Sequence, residues 1–261
     1  KRGMSGAQVL KDVIGVYSSH PAGALFLFAR TKVLSDEMFF QIDQNKLALR
    51  MPAIRFSVHL LPSETAYKFF AVTIPSASDS VWEKRYSQKG RIIPKGKYGK
   101  WNRQVQQQAK IPITVKEIKQ SVDIPDEKIK LVLNRMAFEG SLLRIGTDSL
   151  CSNIISCVSA KTWARVFFNS SDRDKALIWL AREYLRVFGP AREKDFRWWA
   201  GITASQAKHS LSAQDTIDIG NNYLLLAQDL DDFESYRIPP GDSVDLLPQW
   251  DCYTMGFAPD G

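Results

Sequence analysis

Nine cations fall between residues 83 and 110: Lys84, Arg85, Lys89, Arg91, Lys95, Lys97, Lys100, Arg103 and Lys110. One acid, Glu83, accompanies them, so this stretch carries +8 of a chain total of +7 and the remainder sums to −1. Clustered cations attract polyanions, because each phosphate they neutralise releases counterions. A solvated linker is the other reading of such a run. A smaller group also carries chemistry. On a strand, Arg55, Ser57 and His59 share one face and present a guanidinium, a hydroxyl and an imidazole together. A half-buried hydrogen-bonded pair is the plainer use of Arg55 and His59. Ser18, Ser19 and Pro21 suit a capped turn between helices.

The elements that would position these residues read as helix-turn-helix units with hairpins. The first unit opens with Ser5-Gly6-Ala7-Gln8, which has capping-box form, and its helix runs to about Val16. Helices over 22–29 and 36–43 follow, then strands within 47–61 and a helix from Ser63 to about Val72. Residues 75–104 lose periodicity and are punctuated by Pro and Gly, which predicts a linker. In the second unit Thr114-Val115-Lys116-Glu117 caps a short helix, and Ile129, Val132, Leu133 and Met136 form a helical stripe. Strands 142–145 and 150–158 then make a wing-like hairpin. Asp172 to Phe188 is a long helix with one apolar face. A third unit places helices at 192–200 and 203–212 and strands at 216–219 and 223–227, around the turn Gly220-Asn221-Asn222.

The fold class expected is therefore α+β and helix-rich: tandem winged-helix modules, with the start of a C-terminal β-rich part. The expected division is 1–74, a basic linker 75–110, a second winged helix 111–170, a long helix with a third winged helix 171–235, and 236–261. The second helix of such a unit enters the major groove. Lys128, Asn134 and Arg135 face away from the stripe in the middle unit, and Ser205, Lys208 and His209 occupy the comparable face in the last. Asn suits adenine, and Arg suits guanine or phosphate. Polar helix faces are equally what solvent-facing packing modules show.

Bulk composition excludes several classes. Hydrophobic content of 44% and charge of 24% are those of a globular chain. Three cysteines, with no C-x-x-C, argue against a disulfide scaffold or a zinc site, and fit a reduced cytoplasmic setting. No apolar run is long enough to cross a bilayer, so no membrane partner is expected. There is no P-loop, G-x-S-x-G, H-E-x-x-H or dinucleotide fingerprint, and no metal or cofactor is expected. Lys1 in place of Met suggests a fragment, open at one or both ends.

Three stretches carry a resemblance. Residues 189–201 read G-P-A-R-E-K-D-F-R-W-W-A-G, residues 246–256 read L-L-P-Q-W-D-C-Y-T-M-G, and residues 53–62 read A-I-R-F-S-V-H-L-L-P. These resemble the winged-helix DNA glycosylase family typified by AlkZ and YcaQ, over about Val9 to Gly256. The resemblance implies double-stranded DNA as partner and a role in DNA repair, with a cytoplasmic, nucleoid-associated setting; the oligomeric state stays open, a monomer being favoured. It also implies a catalytic segment at Gly15-Val16-Tyr17-Ser18-Ser19-His20-Pro21, where the family places two glutamines, or a glutamine and an aspartate. Here Tyr17 and Ser19 stand at those positions, leaving His20 as the base. Base removal passes through a cationic sugar that needs a polar or negative neighbour and an aligned water. An alkylated purine is already cationic and leaves without strong acid help. Arg55, His59 and Asp251 match further family positions, with Cys252 replacing a proline. For Asp251 a fold-locking role stands beside a chemical one. Trp198, Trp199 and Phe196 read as core.

Three functions follow. The first is a glycosylase that excises alkylated or crosslinked bases. The second is a non-catalytic DNA-binding homologue, a lesion sensor or transcription regulator. The third is a protein-interaction scaffold, since charge outside 83–110 is nearly balanced.

Overall fold

The computed structural model describes residues 5–18, 23–31, 35–73, 92–146, 154–164, 172–238, 240–241, 244 and 246–259. It repeats one order of elements three times: helix, strand, two helices, two strands. In the first unit these are α1 (Gly6–Asp12), β1 (Val16–Tyr17), α2 (Gly23–Phe28), α3 (Asp36–Gln44), β2 (Ala48–Pro52) and β3 (Val58–Pro62). Helix α4 (Ala66–Thr73) follows. The second unit comprises α5 (Tyr98–Gln108), β4 (Ile113–Thr114), α6 (Val115–Ser121), α7 (Asp126–Phe138), β5 (Leu142–Ile145) and β6 (Ser156–Ser159), with a short α8 (Ala160–Trp163) behind it. The third has α9 (Arg173–Phe188), a single bridge between Ala191 and Leu224, α10 (Glu193–Ala200), α11 (Ala204–Ser212), β7 (Thr216–Asp218) and β8 (Leu224–Leu226). Helix α12 (Leu230–Ser235) leads into turns.

Local chemistry explains several of the helix starts. Thr114 Oγ1 accepts from the Glu117 amide at 3.2 Å, and Glu117 Oε2 accepts from the Thr114 amide at 2.8 Å. Thr203 and Gln206 repeat this box at 3.3 and 3.0 Å. Each box satisfies two amides that the first helical turn leaves open. At α1, Ser5 accepts from the Gln8 amide at 3.3 Å.

The first two units share one antiparallel sheet of six strands, ordered β1-β3-β2-β5-β6-β4. At the β2–β5 junction Arg50 lies opposite Arg144, a like-charge pair that is unfavourable alone. Each arginine is answered elsewhere. Arg50 Nη2 meets Asp43 Oδ2 at 2.8 Å and its Nη1 donates to Ser18, while Arg144 donates to Asn134 Oδ1 at 2.9 Å. The Gly146 amide also donates to Asp43, at 3.1 Å, tying α3 of the first unit to the wing of the second.

Helix α9 is the spine. Ala176, Leu177, Leu180, Ala181, Tyr184, Leu185 and Phe188 are all buried along it, as the sequence predicts. They pack with Phe69 and Val72 of α4, Leu49, Met51 and Leu61 of the sheet, and Phe196 and Trp199 of α10.

Two elements differ from expectation. Residues 98–108 form helix α5, not linker. Trp101, Val105 and Ala109 sit one turn apart and are buried against Ile118, Ile129 and Met136. Interleaved Gly, Lys, Asn and Gln hide that stripe in the sequence. Residues 54–56 form a 3₁₀ turn between β2 and β3, with Arg55 at φ 48° and Phe56 at φ 60°. Arg55 therefore does not share a strand face with His59.

Candidate active site

A cavity of ≈ 250 Å³ opens where the first unit, the third unit and the segment 246–257 meet. Tyr17 reaches it from β1, Ser57 and His59 from the start of β3, and Arg55 from the 3₁₀ turn. Phe188 and Trp199 line it from α9 and α10. Trp250, Cys252 and Met255 close it from the C-terminal segment.

Buried carboxylates and tight packing hold these walls together. Asp195 is fully buried and accepts from the Arg192 amide at 3.1 Å, from Arg192 Nε at 2.8 Å and from the Ala258 amide at 3.1 Å. Tyr184 donates to the Gly256 carbonyl at 2.7 Å. Asp251, also fully buried, takes two bonds from Arg30, at 2.7 and 2.6 Å, and one from the Tyr253 amide at 2.9 Å. Thus the D-F-R-W-W and W-D-C-Y-T-M-G stretches dock on one another, and Arg30 ties the second of them to the first unit. A Cβ at Gly256 would lie 2.6 Å from Phe188 Cδ1. Gly256→Ala is therefore expected to cost about 1–3 kcal/mol by overpacking. Comparing urea midpoints checks this, and an unchanged midpoint would show that the segment docks more loosely.

Arg55 is set by its neighbours. Its guanidinium stacks 3.8 Å from the centre of the Trp198 ring. Its Cγ would lie 3.2 Å from a Cβ on Gly201, whose left-handed φ of 69° ends α10. Both conditions require glycine at that position. Burial lowers the Arg55 pKa from its ordinary value, yet an arginine remains charged.

His59 Nδ1 lies 3.0 Å from the Ser57 carbonyl, which can only accept, so Nδ1 carries the proton and Nε2 is an acceptor. Burial is the largest influence and lowers its pKa to about 4; the bond to Ser57 opposes this, and the Arg55 charge lowers it further. The imidazole is accordingly neutral at physiological pH. Tyr17 meets His59 edge-on at 5.9 Å and Trp250 at 5.4 Å. Burial pushes the Cys252 thiol up to about 12, leaving it protonated. Among the described residues no group of three His, Cys, Asp or Glu is placed to hold a metal.

The residues singled out in the sequence divide as follows. Tyr17, Arg55 and His59 meet in the cavity. Ser19 and His20 lie outside the described residues, as do Lys84 and Arg85. Asp251 is engaged by Arg30 and does not line the cavity, although Trp250 and Cys252 do. Lys95, Lys97, Lys100 and Arg103 are exposed around the start of α5, with Lys100 paired to Asp123 at 3.0 Å. On α11, Ser205, Lys208 and His209 are exposed. Helix α7 corrects the reading of its polar face. Arg135 is buried, bonded to Glu139 at 2.8 Å and stacked 3.8 Å from the Tyr98 ring centre. Asn134 accepts from Arg144, and Lys128 is half-buried near the start of the helix. Sequence reasoning missed Trp250, Phe188 and Met255 as cavity walls. Trp250 sits inside a quoted motif, but Phe188 reads only as core.

Three consecutive winged helices with a cavity between the first and third define the class of protein. The fold is similar to that of the Streptomyces sahachiroi DNA glycosylase AlkZ, with a TM-score of 0.73 and 16% identity over 98% of this chain and 72% of that one. No curated protein sequence matches the chain. The family model for AlkZ-like DNA glycosylases matches residues 12–259, and the chain belongs to that family. Among the described residues no helix is long and apolar enough to cross a membrane.

Proposed function

We propose that this protein binds duplex DNA and hydrolyses the N-glycosidic bond of a damaged base in the Tyr17–Arg55–His59 cavity. The observation that carries this reading is the convergence of those three side chains, from separate elements, in one cavity walled by both long family motifs. A base would leave the stack to enter it, as in other enzymes that do chemistry on bases. Aromatic walls at Tyr17, Trp199 and Trp250 suit a flat ring. Water oxygen would bond to the anomeric carbon as the C–N bond breaks, its electrons leaving with the base and the water proton passing to His59 Nε2. The exposed cations Lys95, Lys97 and Arg103, and the α11 face of Ser205, Lys208 and His209, supply backbone and groove contacts.

A duplex bearing a single N7-methylguanine tests this. Abasic sites, scored by alkaline strand cleavage, are expected well above the spontaneous rate. Bound duplex with no release would overturn excision of this lesion and favour the binding-only homologue, a reading supported by Tyr17 at the family's glutamine position.

A further inference from the structure

We infer that Arg55 forms a phosphate subsite, taking one backbone phosphate beside the nucleotide that enters the cavity. This rests on reading the cavity as a nucleotide site and adds which part of the substrate the guanidinium meets. Among the described residues the cavity lining contains one permanent cation, Arg55, and no carboxylate. The nearby buried acids are already matched: Asp251 holds Arg30 at 2.6 Å and Asp195 holds Arg192 at 2.8 Å. His59 and the Cys252 thiol are both neutral there. The cavity thus presents a net positive charge that is not balanced from within.

That charge is also held in place. Trp198 stacks under the guanidinium at 3.8 Å, and a Cβ at Gly201 would lie 3.2 Å from the Arg55 Cγ, so little room is left beside its stem. Stacking leaves the in-plane N–H fork available, and a planar fork matches phosphate oxygens. The reaction itself makes an unpaired cation here unfavourable. A sugar losing its base becomes positive, and so does an alkylated purine before it leaves, so a bare guanidinium would oppose both. Pairing with a phosphate removes that opposition and fixes the sugar by its own backbone. Arg55 is therefore a positioning residue whose effect appears in binding.

The test uses the whole chain and a duplex with a central tetrahydrofuran abasic analogue, titrated at several salt concentrations. R55Q is expected to weaken binding and to lower the slope of log K against log salt by about one. R55K is expected to keep the slope. In a second arm, a neutral methylphosphonate replaces each phosphate flanking the analogue in turn. One position is expected to weaken the unaltered protein as R55Q does, and to cost R55Q nothing more. Equal binding of the unaltered protein to every methylphosphonate duplex would overturn the subsite without relying on a variant that folds. So would an R55Q loss that persists in full on all of them. Failure of the unaltered protein to bind any duplex is a different result: it removes the nucleotide reading and the subsite with it.

Discussion

Asp251→Ala is expected to destabilise the protein by about 3–5 kcal/mol, the cost of leaving one partner of a buried pair alone. Asp251 is fully buried and receives both Arg30 nitrogens and the Tyr253 amide. Removing it strands a guanidinium whose side chain is only 16% exposed. Because the pair is shielded from water, added salt is not expected to mimic the loss. The double substitution of Arg30 and Asp251 by Met and Leu is expected to recover much of it, since apolar replacements of buried pairs are often neutral. Urea denaturation of the three proteins measures these effects. An Asp251→Ala midpoint equal to that of the unaltered chain would show that the pair does not hold the segment. The same substitution should speed proteolysis within 246–257, because that segment is joined to the first unit through this pair.

How much of this was legible beforehand depends on how local the cause is. The Thr114–Glu117 and Thr203–Gln206 boxes and the α9 stripe are set by residues three or four apart, and they read correctly. The left-handed turn at Arg55 could not be read, because the residues packed beside it, Trp198 of α10 and Gly201 just beyond that helix, lie far along the chain. Arg135 looked like a groove reader, yet Tyr98 covers it from a helix that was itself hidden among polar residues. The Arg30 partner of Asp251 lies 221 residues away and has no sequence signal. Tyr17, Arg55 and His59 match family positions and are expected around one cleft, and the fold brings all three to one cavity, Arg55 from a turn rather than a strand face.

His59→Ala is expected to lower base excision by about 10²–10⁴-fold, the usual contribution of a positioned base, while duplex affinity is largely retained. The pH profile separates this role from a merely structural one. With a pKa near 4, His59 stays a free base down to that region. Excision by the unaltered protein should therefore hold level from pH 8 to pH 5, whereas a base with an ordinary histidine pKa would fail from about 6.5 downward. A drop centred near 6.5 that persists in His59→Gln would assign the base to another group, and one that vanishes there would keep His59 as the base without its low pKa. Stability follows the same shift with a fixed sign. Below an unfolded-state pKa of about 6.5 the unfolded chain binds a proton that the folded chain refuses, so stability falls as pH drops from about 6.5 to about 4 and then levels off. The loss approaches about 2–3 kcal/mol, the lower figure allowing for water at the ring edge. His59→Gln, which cannot titrate, should flatten that part of the melting curve against pH. A slope equally steep in the variant would assign the acid sensitivity to other groups and leave the imidazole without its proposed low pKa.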